Sequence, residues 1–114
     1  MNLTVEIRTY NLKPGAREHF ARIAGEQVMP MLARWDTDVV RHGPSTHGQD
    51  TYVLIRNDSS LDDRQQRQDA FHGSAEWIQG PRAWILELIE GFTSLVLELE
   101  VSTLAGLRDG AVQA

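Results

Sequence analysis

The sequence predicts an α+β domain in which helices cover one face of a four-stranded antiparallel sheet. Two patterns lead to this prediction. Strand-like alternation and helical spacing follow one another in the order β-α-β-β-α-β, with an extra helical piece before the last strand. The predicted strands also carry apolar residues on both faces, which is unusual for a sheet with one face in water. The element order is that of the ferredoxin-like split β-α-β arrangement.

The first strand is predicted over residues 3–12, where side chains alternate between two faces. One face carries Val5 and Ile7, and the other carries Glu6, Arg8 and Tyr10. The polar set raises the question of whether this face meets water, a ligand or another part of the protein.

Residues 14–35 predict one kinked helix after a Lys13-Pro14-Gly15 turn. Its apolar residues recur at spacings of three, four and seven, which is typical of one buried helical stripe: Phe20, Ile23, Ala24, Val28, Met31, Leu32 and Trp35. Pro30 cannot donate a hydrogen bond to the carbonyl of Glu26, so we expect the kink there.

The second strand begins at Val39 and Val40 and ends in the turn-rich segment 42–50, and the third strand covers 51–56. A helix is predicted from Leu61 to about His72. Ser60 and Asp63 resemble a capping box at its start. Because this helix is very polar, we expect only a narrow stripe near Leu61 and Phe71 to be buried.

A second helical stripe runs from Trp77 to Ile89, and Gly80-Pro81 is expected to divide it into a short and a longer helix. The last strand is predicted over 92–99. These elements define a domain over residues 1–100. The tail, 101–114, has weak periodicity and is interpreted as a loose arm or a partner-docking segment.

Composition excludes several classes of protein. The chain has 114 residues, enough for one domain, and its net charge of -5 argues against nucleic-acid binding. It contains no cysteine, which excludes disulfides and a catalytic thiol. No leader-like pattern or membrane-spanning apolar stretch is seen, so we expect a cytoplasmic protein.

Both faces of the predicted sheet are expected to be covered. The third strand has Tyr52 and Leu54 on one face and Val53 and Ile55 on the other. Helices of one small domain cover one face, and the simplest cover for the second face is another copy of the chain. We therefore expect a homodimer.

Three segments resemble the NIPSNAP family: IRTYNLKPG (7–15), Met29-Pro30, and SAEW (74–77). The resemblance covers residues 3–99. The family belongs to the dimeric α+β barrel superfamily, so the resemblance implies two ferredoxin-like sheets closing into an eight-stranded barrel. Superfamily relatives include cofactor-free monooxygenases, isomerases and cyclases, and heme-degrading proteins, with pockets between the sheet and the helices.

Four residues that could share the more polar sheet face are candidates for catalysis: Arg8, Tyr10, His42 and Tyr52. An arginine can hold a carboxylate or an enolate, a tyrosine can donate a proton, and a histidine can transfer one near neutral pH. This set suits proton abstraction next to a carbonyl. Alternatively, Arg8 pairs with Glu6 or Glu98 and the tyrosines only pack.

His72, Trp77 and Trp84 form a second cluster that could bind a flat hydrophobic ligand. The alternative is two core tryptophans and a helix-end histidine. Heme is not expected, because the heme-degrading relatives carry a ligand histidine on the helix after their tryptophan, and no histidine follows His72 here.

A metal site is not expected either. His42, His47 and Asp50 surround one turn, but a zinc site generally needs three or four supported ligands. The sequence contains no phosphate-binding glycine loop and no GxSxG motif.

Two functions remain open. The first is a small-molecule-binding, NIPSNAP-like protein that acts without a cofactor, as an isomerase, cyclase or monooxygenase, on a hydrophobic carbonyl-bearing metabolite. The second is a non-enzymatic dimeric interaction or stress-related module, in which the polar helix 61–72 and the tail form the contact surface.

Overall fold

A computed structural model describes residues 2–109, in which four strands form one antiparallel sheet. The strands are β1 Asn2–Leu12, β2 Asp38–Pro44, β3 Thr51–Asp58 and β4 Ile89–Glu100, in the spatial order β2-β3-β1-β4. Each neighbouring pair is antiparallel. The predicted α+β, ferredoxin-like class is confirmed.

Helices connect and cover these strands. They are α1 Arg17–Ile23, α2 Met29–Arg34, α3 Leu61–His72, α4 Ala75–Gln79, α5 Arg82–Leu88 and α6 Val101–Asp109, with a π-helical turn at Ala24–Val28. The main core lies between the sheet and α1 to α5 and contains Phe20, Leu32, Tyr52, Phe71, Trp77 and Ile85.

The first helical run is continuous from residue 17 to residue 34, as predicted, but it starts three residues later than expected. Gly15 has φ +79, a left-handed conformation that cannot belong to a right-handed helix. The disturbance at Pro30 takes the form of the π-helical turn. There the amide of Met29 donates to the carbonyl of Ala24, five residues earlier. The wider turn accommodates the missing donor of Pro30.

Helix α3 has the predicted bounds but not the predicted buried face. Ser60 caps it by accepting a hydrogen bond from the amide of Asp63 at 3.0 Å. Leu61 is 63% exposed, whereas Gln68 and Phe71 are buried, so the expected burial of Leu61 is wrong. The physical reason is that this helix turns polar side chains towards polar groups on the sheet.

The interpretation of the tail as a loose arm is wrong for residues 101–109. These residues form α6, and Leu104 is buried against Val5 and Val40 on the sheet face opposite the other helices. Residues 110–114 lie outside the described part of the chain. A partner-docking role and a domain boundary at residue 100 stay predictions.

Within residues 2–109, no helix has the length and apolar character required to cross a membrane.

Candidate functional site

A cleft of about 550 Å³ lies between the sheet and the helices α2 to α5. Its polar lining groups are Arg8, Tyr10, Arg56, Gln65, Gln68, Asp69, His72 and Arg82. Its apolar walls include Val28, Leu32, Leu54, Phe71, Trp77, Ile85, Leu86, Ile89 and Phe92. An apolar cavity with a few convergent polar groups is the usual form of a small-molecule site.

Glu6 organises the polar side chains beneath this cleft. Its side chain is fully buried, and its carboxylate accepts five hydrogen bonds from four residues: from Arg8 Nε at 3.0 Å and Nη2 at 2.8 Å, Arg64 Nε at 3.0 Å, Gln68 Nε2 at 2.6 Å and Ser94 Oγ at 2.7 Å. Strand alternation places Glu6 and Arg8 on one face, and the four-residue spacing of Arg64 and Gln68 places both on one side of α3. Burial alone would raise the pKa of Glu6, but Arg64, Ser94 and Arg8 hold it at about 2.

Arg8 belongs both to this network and to the cleft wall. The alternative that Arg8 pairs with Glu6 describes the geometry, since Arg8 Nε and Nη2 both donate to the Glu6 carboxylate. Nη2 also donates to Gln68 Oε1 at 3.2 Å, and the guanidinium carbon lies 4.8 Å from the centre of the Phe92 ring. Burial would lower the pKa of Arg8, but Tyr10 and Glu6 raise it overall. The arginine therefore stays charged at the cleft wall.

Arg56 is a second buried arginine that lines the cleft, and it is not among the candidate residues identified from the sequence. Its Nε lies 3.9 Å from Asp58 Oδ2, beyond hydrogen-bond distance. Within residues 2–109, Nε and Nη2 of Arg56 and both carboxylate oxygens of Asp58 have no hydrogen-bond partner. Burial lowers the pKa of Arg56 and raises that of Asp58. The strand alternation that places Tyr52 and Leu54 on this face could have identified Arg56.

The four predicted catalytic residues share one sheet face, but only Arg8 and Tyr10 line the cleft. In the strand register Tyr10 lies opposite Tyr52, and His42 lies opposite Leu54. Tyr52 is buried, and its hydroxyl is hydrogen-bonded to His42 Nδ1 at 2.6 Å. Burial lowers the pKa of His42 and raises that of Tyr52. His42 borders a different surface groove, along the β2–β3 hairpin.

The aromatic cluster divides in a similar way. His72 and Trp77 line the cleft with ring centres 5.9 Å apart, and Trp77 also packs against Phe71 at 5.1 Å. Partial burial, with the nearby charges of Arg8 and Arg56, lowers the pKa of His72. Trp84 is 56% exposed and lies outside the cleft, so it does not join this group.

Among the described residues, no group of three or more His, Asp and Glu side chains is placed to hold a metal ion. The turn residues His42, His47 and Asp50 therefore do not gather into one site. Instead, Asp50 Oδ1 accepts a hydrogen bond from the Gly15 amide at 3.2 Å, which joins the first turn to the β2–β3 hairpin.

No protein-family model and no curated protein matches the sequence. Several solved structures share its fold. A NIPSNAP family protein of unknown function from Agrobacterium tumefaciens is 26% identical, with a TM-score of 0.77 over 85% of this chain and 87% of that one. A second NIPSNAP family protein from the same organism is 18% identical, with a TM-score of 0.80 over 90% of each chain. A putative antibiotic biosynthesis monooxygenase from Nitrosomonas europaea is 13% identical, with a TM-score of 0.62 over 82% of this chain and 95% of that one.

Proposed function

We propose that this chain binds a small hydrophobic metabolite that bears a carbonyl group. The structural resemblance to NIPSNAP family proteins confirms the resemblance seen in the sequence, but it names no ligand. The observation that carries the proposal is the composition of the cleft. Trp77 and Phe92 offer flat apolar surfaces, while Arg8 and Tyr10 offer hydrogen-bond donors to an oxygen atom. Its volume of about 550 Å³ is typical of small-molecule sites.

In this proposal the protein acts on its ligand without a cofactor. Arg8 and Tyr10 hold the carbonyl oxygen, and His72 takes a proton from the neighbouring carbon. The lowered pKa of His72 keeps its imidazole neutral near pH 7, the form that accepts a proton. The electron pair of the broken C–H bond moves to the carbonyl oxygen, and the enolate is stabilised by Arg8 and Tyr10. In a ligand with a carbon–carbon double bond next to that carbon, the electron pair on oxygen re-forms the carbonyl, the double bond shifts, and His72 returns the proton to the far carbon of the original double bond, which completes an isomerisation.

In this scheme His42 and Tyr52 do not contact the ligand directly. Tyr10 and Tyr52 border a narrow gap of about 30 Å³, and Tyr52 is held by its hydrogen bond to His42. We assign the pair to positioning Tyr10 rather than to contact with the ligand.

The binding of 2-acetylnaphthalene, a flat ketone, tests the proposal. Binding is measured by the quenching of tryptophan fluorescence. Leu86 lines the cleft and is 47% exposed, so Leu86→Trp should fill part of the cleft without disturbing the core. We expect this variant to bind the ketone at least about tenfold more weakly than the unmodified protein, because the new indole occupies space that the naphthalene ring needs in the cleft. Leu61→Trp, at a 63% exposed position outside the cleft, is the control and should bind normally. No binding, or equal binding by both variants, would contradict a ligand site in the cleft.

Catalysis is tested separately from binding. The methyl protons of the bound ketone lie next to its carbonyl, so enolate formation should exchange them for deuterium in D₂O, as followed by proton NMR. His72→Gln should abolish the acceleration but keep ketone binding. Ketone binding without accelerated exchange in the unmodified protein would contradict the enzymatic part of the proposal.

The second candidate function is a non-enzymatic dimeric interaction or stress-related module. The observation that favours it is the ion pair between Arg8 and Glu6, which already satisfies much of the guanidinium. In this case the cleft binds a ligand without changing it, or stays closed, and the dimer is the functional unit.

A homodimer is part of both candidates. The sheet face that carries α6 is only partly covered, and Leu95 remains 60% exposed on it beside Ile7, Val53 and Leu97. A second copy is the occupant that we propose, because two such faces are self-complementary and α6 leaves this apolar area open.

The cofactor-free chemistry and a cytoplasmic location likewise remain predictions.

A further inference from the structure

We propose that the cleft binds its ligand through an anionic group, a carboxylate held by Arg56 and Arg8. The ligand would then be a hydrophobic acid with a flat or aliphatic body. This inference rests on the proposed function, since it specifies the ligand of the same cleft. The name polar end is used below for the part of the cleft formed by Arg8, Arg56 and Gln68.

Positive charge exceeds negative charge at the polar end. Three guanidinium groups, those of Arg8, Arg56 and Arg64, lie close to the two buried carboxylates of Glu6 and Asp58. Glu6 forms close ion pairs with Arg8 and Arg64 and is thereby engaged twice. Arg67 and Asp63, which pair with each other at 2.9 Å beside Asp58, add one charge of each sign. The polar end therefore keeps an excess of positive charge, which an anion would balance.

The guanidinium of Arg56 has hydrogen-bond donors without partners among the described residues. Arg56 is only 3% exposed, although it lines the cleft. Its Nε and Nη2 atoms have no hydrogen-bond partner within residues 2–109. Asp58 is the nearest carboxylate, and the 3.9 Å separation gives Coulomb attraction without a hydrogen bond. A buried guanidinium with unsatisfied donors is costly, and a planar carboxylate is the group that satisfies adjacent donors best.

Other charged groups border the cleft and do not reverse this conclusion. Asp69 is exposed and accepts a hydrogen bond from Gln65 Nε2 at 2.9 Å, so its charge lies in the solvated part of the wall. Arg82 is also exposed and adds positive charge at the wall. His72 is neutral near pH 7, because burial and the two buried arginines lower its pKa.

The remainder of the cleft suits an apolar body attached to that carboxylate. In the strand register Tyr10 lies opposite Phe92, and Arg8 lies two residues before Tyr10 on the same face of β1. Aromatic surface therefore begins directly beside the polar end. Trp77 and Ile85 line the same cleft from the helices. A ligand can thus place its anion at the arginines while its rings or chain lie against these side chains.

Two nearly isosteric ligands provide the test. 2-Naphthoate and 2-acetylnaphthalene have the same ring system and a carbonyl at the same position, but only the first is charged at pH 7. We expect 2-naphthoate to bind at least about tenfold more tightly, measured by titration calorimetry, because its hydrogen bonds to arginine are charge-assisted. Equal affinities, or tighter binding of the ketone, would overturn this inference while leaving the proposed function intact. Failure of both ligands to bind would overturn both.

Variants assign the effect to Arg56. Arg56→Met replaces the guanidinium with a shorter, uncharged side chain, so the preference for naphthoate should disappear and the two ligands should bind with similar affinity. Because this substitution could prevent folding, Asp58→Asn provides an independent variant. It removes the nearest negative charge from Arg56 and should raise the affinity for naphthoate relative to the ketone. Arg22→Met removes an exposed arginine outside the cleft and should leave the ratio of the two affinities unchanged. A folded Arg56→Met variant that still prefers naphthoate, or an unchanged ratio of affinities in Asp58→Asn, would overturn the assignment.

Discussion

Glu6 and Asp58 are two buried carboxylates on one sheet face, and their surroundings move their pKa values in opposite directions. Glu6 accepts hydrogen bonds from two arginines, which stabilise its charged form more than burial destabilises it. Asp58 lies 3.9 Å from Arg56 and from Arg67 without a hydrogen bond, so burial dominates and raises its pKa. The two residues should therefore give opposite pH dependences of stability.

Glu6 is predicted to contribute stability that is lost in acid. Its pKa falls from the ordinary value of 4.5 to about 2 on folding, so its contribution is fully present above about pH 5 and lost as the pH falls towards 2. A pKa change of this size corresponds to about 3 kcal/mol. Glu6→Gln should destabilise the protein by about this amount at pH 7 and flatten the acid side of the stability curve. Urea unfolding at several pH values measures this. A stability loss independent of pH would contradict the ion-pair account.

Asp58 is predicted to behave in the opposite way. Its raised pKa means that it adds stability in acid, below its ordinary value of 3.8, and that this stability is lost as the pH rises through the folded-state pKa. The Asp58→Asn variant should therefore gain stability relative to the unmodified protein as the pH rises above about 4. Urea unfolding at several pH values measures this as well. Glu6→Gln is the comparison variant, because its stability relative to the unmodified protein should fall as the pH rises. Parallel curves for Asp58→Asn and the unmodified protein would contradict the raised pKa.

Single side chains were predictable from the sequence only where the partner lies on the same strand. Strand alternation predicted that Glu6, Arg8 and Tyr10 share one face and that Arg8 can pair with Glu6. The contacts of Glu6 with Arg64 and Gln68 depend on how α3 is rotated above the sheet. Because α3 has no continuous apolar stripe, its periodicity does not fix that rotation.

At the scale of elements, α6 is the helix that the sequence did not predict. Its apolar residues are few, and Leu104 alone is deeply buried against Val5 and Val40. By contrast, the first helical run was predictable because it carries a long apolar stripe. Helix α3 was predictable because a serine cap marks its start. A short helix that depends on contacts with distant strands leaves little local signal.

Leu104→Ala tests whether α6 is an integral part of the fold. Leu104 is 4% exposed, so its truncation should lower the free energy of unfolding by about 2–4 kcal/mol. Val101→Ala, at a 47% exposed position on the same helix, should cost less than about 1 kcal/mol. Chemical denaturation of the two variants gives both values. Equal, small effects would mean that α6 does not pack on the sheet in solution.

At the scale of the whole molecule, the two faces of the sheet have different roles. One face carries Glu6, Arg8 and Tyr10 beneath the helices and borders the cleft. The other carries α6 beside an uncovered apolar area that includes Leu95. The sequence predicted cover on both faces, but it could not show that a helix of the same chain supplies part of it.

Leu95→Glu tests the proposed homodimer. A charge in the centre of an apolar interface is strongly disfavoured, so this variant should sediment as a monomer at concentrations where the unmodified protein is a dimer. Leu61→Glu is the matched control, since Leu61 is 63% exposed, close to the 60% of Leu95, but lies at the start of α3. Analytical ultracentrifugation distinguishes the species. A monomeric unmodified protein, or dimers of both variants, would contradict an interface on this face.

Both the proposed function and the proposed ligand class depend on the claim that the cleft between the sheet and the helices binds a small hydrophobic molecule. A crystal structure of the protein grown with 2-acetylnaphthalene tests it most directly. We expect ring density between Trp77 and Phe92, with the carbonyl oxygen directed at Arg8 or Tyr10. A cleft closed by its own side chains, or the ketone bound only at another surface, would contradict the claim.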